Sequence, residues 1–414
     1  MVLNLTETLY ALSNALDTVQ MEMGGISNAH GKHVAVLSYL MGKYFSYDNI
    51  KLNDLVGLAI LHDNAFTEYV REEYNGGKIL DYNDLKIEDN ASKLRIGFLN
   101  APRHNVIGEE NISLIPFSID VKDILLYHHE NANGTGPLHK KACETPILSQ
   151  IIHISDMFDM MFDYNKFSLE EFNDTIIKMK SLTDILFSKE MVDAFINSIT
   201  YPILKEVFDL GEINYLKKNL RSYKSNYTDD EIKGICEFFG KIIDYKSSVT
   251  KNHSLGVASK CEIMARYYGF DDDKRIRFYF AGAFHDIGKL LVTNDILEKP
   301  TSLTKSEYEI IQNHAYGTYK ILSEIDGLDD ICRWASRHHE KLNGTGYPFG
   351  LTASDLSFED RLLAVIDIFQ ALIEKRSYKD EFSLKNTIDI LNNMVKDNLI
   401  DGNIVSDIIK VFVK

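Results

Sequence analysis

The chain has 414 residues, 45% hydrophobic and 26% charged, with seven prolines and a formal net charge of −16. That length exceeds what one core usually organises and suits two domains plus a connector, while the composition excludes a disordered chain. The acidity excludes a general electrostatic attraction to nucleic-acid polymers, but leaves room for a compact anionic ligand wherever local cations overrule the net charge. Cys143, Cys236, Cys261 and Cys332 are scattered without a CxxC, so no disulfide framework or thiolate zinc site is indicated, and a reducing cytoplasm fits. The opening MVLNLTETLY lacks the basic-then-apolar pattern of a signal peptide, and no apolar run reaches membrane-spanning length.

In chain order, the first half presents HGKHVA from His30, LHDNAF around His62-Asp63, RHNVIG around His104, HHENANGTGP from His128-His129, and HISDMF around Asp156. A stretch at 166–227 follows, containing helix-like segments such as NYLKKNL and a break at Tyr201-Pro202. The second half then presents HSLGVA from His253, FHDIGK around His285-Asp286, NHAYG around His314, HHEKLNGTGYP from His338-His339, and AVIDIF around Asp367. Apolar residues at i, i+3, i+4 spacing in Ile276–Phe284, Tyr308–Ile325 and Leu362–Glu374 predict helices, and alternating strand patterns are nearly absent. Turns are expected at Asn133-Gly134, Asn343-Gly344 and Gly350. The expectation is an all-α protein of roughly 16–20 helices.

The two halves are copies. His253 stands 223 positions after His30, and His285 stands 223 after His62. His314 and His338 stand 210 after His104 and His128, and Asp367 stands 211 after Asp156. The first copy therefore carries a net 13 extra residues between its second and third motifs, and lacks one residue where GTGP replaces GTGYP. Such a fixed order points to a duplicated domain, with boundaries at 1–165, a helical connector at 166–227, and 228–414.

The second copy gathers five histidines and two aspartates at motif positions: His253, His285, Asp286, His314, His338, His339 and Asp367. A lone His-Asp or His-His pair on a helix is ordinarily a surface pair. Seven such residues, in the same order twice, point instead to metal. Imidazole and carboxylate donors without thiolate suit Fe, Mn, Co, Ni or Zn. Seven are more than one ion needs, whereas two ions sharing a bridging carboxylate use them all. Two ions about 3.5–4 Å apart can activate a hydroxide and clamp a phosphate in an in-line displacement. His33, His139 and His153 fall outside the pattern and read as structural or surface residues, and Met157–Met161 as core packing.

FHDIGK, HHEKLNGTGYP and AVIDIF, preceded by IIDYKSSVTKNHS, resemble the HD-GYP subgroup of the HD phosphohydrolase superfamily. The resemblance is specific over about 230–414 and degenerate over about 5–165. It implies a metal-dependent phosphodiesterase opening a cyclic dinucleotide, cyclic di-GMP or 3′3′-cyclic GMP-AMP, to a linear dinucleotide and onward to mononucleotides. It implies two divalent ions, Fe or Mn foremost and Ni, Co or Zn next, with Asp286 as the bridge. It also implies Lys289 at the scissile phosphate, Tyr347 beside the nucleotide, and Arg376 and Lys379 on phosphate. A homodimer or a diguanylate cyclase is the partner it suggests. Rival readings are a cyclic-dinucleotide receptor with little turnover and an HD-type hydrolase of another nucleotide.

Some positions depart from the pattern. Val249 stands where some members have a glutamate for a third metal, so a two-metal site is expected. NGTGYP and RSYK replace the usual DGSGYP and RPYR. The first copy fills every ligand position, with His30, His62, Asp63, His104, His128, His129 and Asp156. Phe66 replaces the lysine there, however, and Gly136 runs straight into Pro137. An apolar phenylalanine cannot offset charge on a phosphate, so this copy is expected to bind metal with little catalysis.

Overall fold

The computed structural model describes residues 1–24, 29–65, 68–69, 102–246, 253–297, 299, 301–374 and 383–413. The positions of Phe66, Val249, Arg376 and Lys379 lie outside these. Two compact units result: Asn4–Lys224, and Ser225–Lys414 together with Met1–Leu3. The described residues are overwhelmingly helical, and their one named sheet is a two-stranded antiparallel pair, β1 (Val2–Leu3) on β2 (Ser225–Asn226). None of their helices is long and apolar enough to cross a membrane.

The N-terminal unit contains α1 (Leu5–Gly24), α2 (His30–Tyr44), α3 (Asn49–Ile60), α4 (Pro102–Ile112), α5 (Ile147–Met161), α6 (Leu169–Ser181), α7 (Lys189–Ser198), α8 (Tyr201–Leu210) and α9 (Glu212–Asn219). Helix α2 is buried along nearly its whole length and packs on α3, α5, α7 and α9. The segment expected as a connector therefore folds into this unit as far as Lys224. The reason is its amphipathic helices, which bury Met191, Val192, Phe195, Leu204, Val207 and Leu216. Apolar faces of that size are unfavourable in water and find a core to join.

The C-terminal unit follows with α10 (Asp229–Lys246), α11 (His253–Tyr267), α12 (Asp272–Phe284), α13 (Asn294–Leu297), α14 (Lys305–Leu322), α15 (Asp329–Ser336), α16 (Phe358–Ile373), α17 (Leu384–Lys396) and α18 (Gly402–Phe412). Side-chain caps set where several begin. Asp271 accepts from the Lys274 N–H at the start of α12, and Thr304–Glu307 and Ser357–Asp360 form reciprocal capping boxes on α14 and α16. Helix α16 buries Leu362, Leu363, Val365, Ile366 and Phe369, which makes it the apolar centre of the unit. Phe280 and Phe284 stack with centroids 4.3 Å apart beneath the HDIGK segment.

The helix does not run on through that segment: α12 ends at Phe284 and Ile287–Leu291 is a tight 3₁₀ turn. The turn is pressed against α14. Thr318 Oγ1 accepts the Gly288 N–H at 3.1 Å and donates to the His285 carbonyl at 2.8 Å. A Cβ at Gly288 would collide with the His314 carbonyl oxygen and the Thr318 backbone nitrogen. Glycine is what lets the HD pair approach His314, and the first copy has Ala65 at this position. Gly288→Ala is expected to cost about 1–3 kcal/mol by forced overpacking, read as a lowered thermal midpoint in calorimetry.

Candidate metal centre

Histidine placement follows from helix ends. The last carbonyls of a helix have no intrahelical partner, and an imidazole three residues on can reach back to one. His285 Nδ1 lies 2.8 Å from the Gly282 carbonyl and His338 Nδ1 lies 2.6 Å from that of Ala335. His314, inside α14, makes the same i−3 contact to Ile311 at 2.6 Å. A carbonyl can only accept, so Nδ1 carries a proton, and each Nε2 is turned inward as the nitrogen left to meet a metal.

The structure brings all seven residues of the second copy together. His253 Nε2 is 3.1 Å from Asp367 Oδ1, and His285 Nε2 is 3.6 Å from the same oxygen. His285 Nε2 is also 3.3 Å from Asp286 Oδ2. Across the site, His314 Nε2 is 3.3 Å from Asp286 Oδ1, and His338 Nε2 is 3.9 Å from it. The His339 ring lies 4.0 Å from that of His338. Ligand atoms within 4.8 Å of one another form three overlapping groups: His253–His285–Asp367, His285–Asp286–His338 and His314–His338–His339. Asp286 thus stands between the two outer groups. The buried His285 Nε2 and Asp286 Oδ1 have no hydrogen-bond partner, and such atoms are costly to bury unless something binds them. The donor set and these orphaned atoms fit a metal site.

Lys289 and Tyr347 are also here. Lys289 Nζ is 2.5 Å from Asp286 Oδ2 and partly exposed. The Tyr347 ring lies 4.8 Å from that of His339, and its N–H donates to the His339 carbonyl at 3.2 Å. The Tyr347-Pro348 bond is cis.

Two supporting residues escaped the motif reading. Glu340 accepts the N–H groups of Phe349 at 2.7 Å and Leu351 at 2.9 Å, clamping the loop that carries Tyr347. Glu130 holds Leu138 and Lys140 in the same way in the first copy. Glu374 Oε2 lies 2.9 Å from His253 Nδ1, orienting that ring from behind. The available signals were the third position of HHE, repeated in both copies, and an acid two helical turns after Asp367.

Electrostatics divide the histidines. Burial opposes charge on His285, but the carboxylates of Asp286 and Asp367 outweigh it and raise its pKa to about 10. His253 is raised in the same way, against burial, by Asp367 and Glu374. Burial pushes His314 down to about 4 and His339 down to about 3, and with the neighbouring imidazoles it holds His338 well below its usual range. Burial works against the Asp286 anion, yet Lys289 and His285 keep its carboxyl well below the ordinary range.

The first copy also assembles. His30 Nε2 is 3.3 Å from Asp156 Oδ1, His62 Nε2 is 3.5 Å from Asp63 Oδ2, and His128 Nε2 is 3.9 Å from Asp63 Oδ1. Ligand atoms of Asp63, His104, His128 and His129 form one group, and those of His30, His62 and Asp63 another. Of the remaining histidines, His153 is buried in this unit, His33 is half-buried in it, and His139 sits in a loop at φ 59°.

Residues 237–404 match the family model described as HD domain. The chain is 25% identical over 417 residues to the 3′3′-cGAMP-specific phosphodiesterase 1 of Vibrio cholerae, covering 98% of this chain and 91% of that protein. It is 31% identical over 265 residues to the 3′3′-cGAMP-specific phosphodiesterase 3 of the same organism, covering 63% and 56%. A cyclic di-GMP phosphodiesterase of Thermotoga maritima is 29% identical over 194 residues, covering 44% and 52%. The solved structure of a cyclic GMP-AMP specific phosphodiesterase of V. cholerae superposes with a TM-score of 0.64 at 22% identity, covering 99% of this chain and 98% of that one, a likeness of fold.

Metal binds neutral imidazole, so uptake at the second copy near neutral pH must displace the proton of His285, whereas His314, His338 and His339 are already neutral. Metal titration by calorimetry in buffers of differing ionisation enthalpy is expected to show release of about one proton or more, and apparent affinity should rise with pH through neutrality toward the raised His285 pKa.

Proposed function

We propose, from the premise that residues 237–404 form an HD domain, that the C-terminal unit is a metal-dependent phosphodiesterase acting on a cyclic dinucleotide. The observation that carries this is Asp286, buried between two groups of histidines with the Lys289 ammonium against it. That arrangement supports two ions sharing one carboxylate. His253, His285 and Asp367 would hold one, and His314, His338 and His339 the other. This nitrogen and oxygen set admits iron, manganese, cobalt, nickel or zinc, and the family resemblance puts iron or manganese first. When bound, the ions supply Lewis acidity toward the phosphate oxygens and lower the pKa of water.

The chain's own residues do the rest. The i−3 carbonyls and Glu374 hold the imidazoles in place before any ligand arrives. Lys289, with its ammonium against Asp286, would sit beside the scissile phosphate to stabilise the leaving 3′ oxygen. As water oxygen bonds to phosphorus, the bond from phosphorus to O3′ breaks and that oxygen takes up a proton. Tyr347, fixed by the Glu340 clamp, would flank the nucleotide. Substrate choice falls on 3′3′-cyclic GMP-AMP ahead of cyclic di-GMP, since the relative matched over 98% of this chain carries that name.

The deciding experiment incubates manganese- or iron-loaded protein with a panel of cyclic dinucleotides and follows products by chromatography. Linear dinucleotide from cyclic GMP-AMP is expected, and tight binding without product would mark a receptor instead. Asp286→Ala is expected to abolish turnover while circular dichroism stays helical. Lys289→Met should keep its metal but lose about 10²–10³-fold in kcat, the scale for removing one oriented charge stabiliser.

A further inference from the structure

The N-terminal unit buries the same donors with less to satisfy them. His62 Nε2, Asp63 Oδ1, His128 Nε2, His129 Nε2 and Asp156 Oδ2 are all buried without a hydrogen-bond partner. Two of these rings are already aimed: His62 Nδ1 faces the Ala59 carbonyl at 2.8 Å and His128 Nδ1 that of Leu125 at 2.5 Å. Their Nε2 lone pairs therefore converge on Asp63. Orphaned acceptors facing one another repel, and a divalent cation is the ligand that satisfies them together.

A second observation belongs to this copy alone. His30 Nδ1 contacts Asp159 Oδ2 at 2.6 Å, and the other oxygen of Asp159 contacts His33 Nδ1 at 2.6 Å. His33 Nε2 continues to Glu212 Oε1 at 3.2 Å, and its ring stacks on Tyr164 with centroids 4.1 Å apart. The chain of contacts runs from the centre to the first residue of α9. In the second copy the matching positions hold Gly256 and Gln370, so no such chain can form there.

We propose that the N-terminal unit holds a divalent transition metal of its own on His30, His62, Asp63, His104, His128, His129 and Asp156, and that Asp159, His33 and Glu212 position His30 for it and tie its occupancy to helix α9. Asp159 and His33 are positioning residues: Asp159 touches His30, and His33 acts on it only through Asp159. The tie is reciprocal, because what metal does for α9, α9 does for metal affinity. The centre joins α2, α4, α5 and the HD turn after α3, and through the relay α9 as well. Metal would hold these elements as one body.

The test uses the full-length chain reconstituted with manganese. Metal per chain is measured for wild type, Asp63→Asn and Asp286→Asn, with circular dichroism confirming the fold. Each variant is expected to lose the share of its own unit. Full wild-type metal content in Asp63→Asn, or none left in Asp286→Asn, would overturn the N-terminal site while leaving the C-terminal reading intact. In the Asp286→Asn background, His33→Ala should weaken the remaining manganese affinity about 10-fold, and His33→Gln, which keeps a donor to Asp159, should recover part of it. Hydrogen exchange across 212–219 should slow on adding metal, and that slowing should vanish in His33→Ala. Unchanged affinity in His33→Ala, or exchange in α9 indifferent to metal, would overturn the positioning role.

Discussion

Buried lone pairs that face one another govern this protein. At one point in each unit, imidazole nitrogens and carboxylate oxygens converge in a region from which water is excluded. Leaving such atoms without partners is strongly unfavourable, and packing them closely adds repulsion. Both costs fall away when a cation is bound. The surrounding fold works toward that end, with helix-end carbonyls fixing the imidazole tautomers and a capped α16 presenting Asp367 from the apolar centre.

Asp286 shows how the pieces depend on one another. Its carboxylate reaches both outer groups only because the chain leaves α12 at Phe284 and tightens into a 3₁₀ turn. That turn lies against α14 only because residue 288 has no side chain, and Thr318 locks it there with two hydrogen bonds. Lys289 reaches Asp286 by the same tightening. One glycine thus places Asp286 and the nearby Lys289 together, and the first copy has alanine at that position.

Much of this was legible in the sequence. Constant offsets between the copies exposed the duplication, and helical spacing in Leu362–Glu374 and its neighbours gave the all-α class. The seven candidate residues of each copy came from motif positions, and in the structure each set lies close together. What stayed hidden depended on contacts without a local pattern. Nothing in 166–227 says that its apolar faces find α2 and α5 rather than spanning a gap. The 3₁₀ turn at Ile287 depends on α14, which is distant in sequence. Glu374 and Asp159 each back the first histidine of their copy from a different turn of the equivalent helix, so no single offset finds both.

That last difference bears on how the copies diverged in chemistry. In the C-terminal unit the acid behind His253 comes from the end of α16, and the position equivalent to Asp159 is Gln370, which accepts from Lys260 at 2.5 Å. A neutral amide there leaves the negative charge near the site to the ligands and Glu374, and Lys289 offsets part of it. The N-terminal unit instead concentrates Asp63, Asp156 and Asp159 around its histidines, with Glu212 one imidazole further out. Carboxylates gathered this way favour a bound cation and disfavour an anionic phosphate. The same residue set thus lies among added carboxylates in one copy and beside the Lys289 ammonium in the other. The copies differ in the charges around these residues, since the residues themselves are the same.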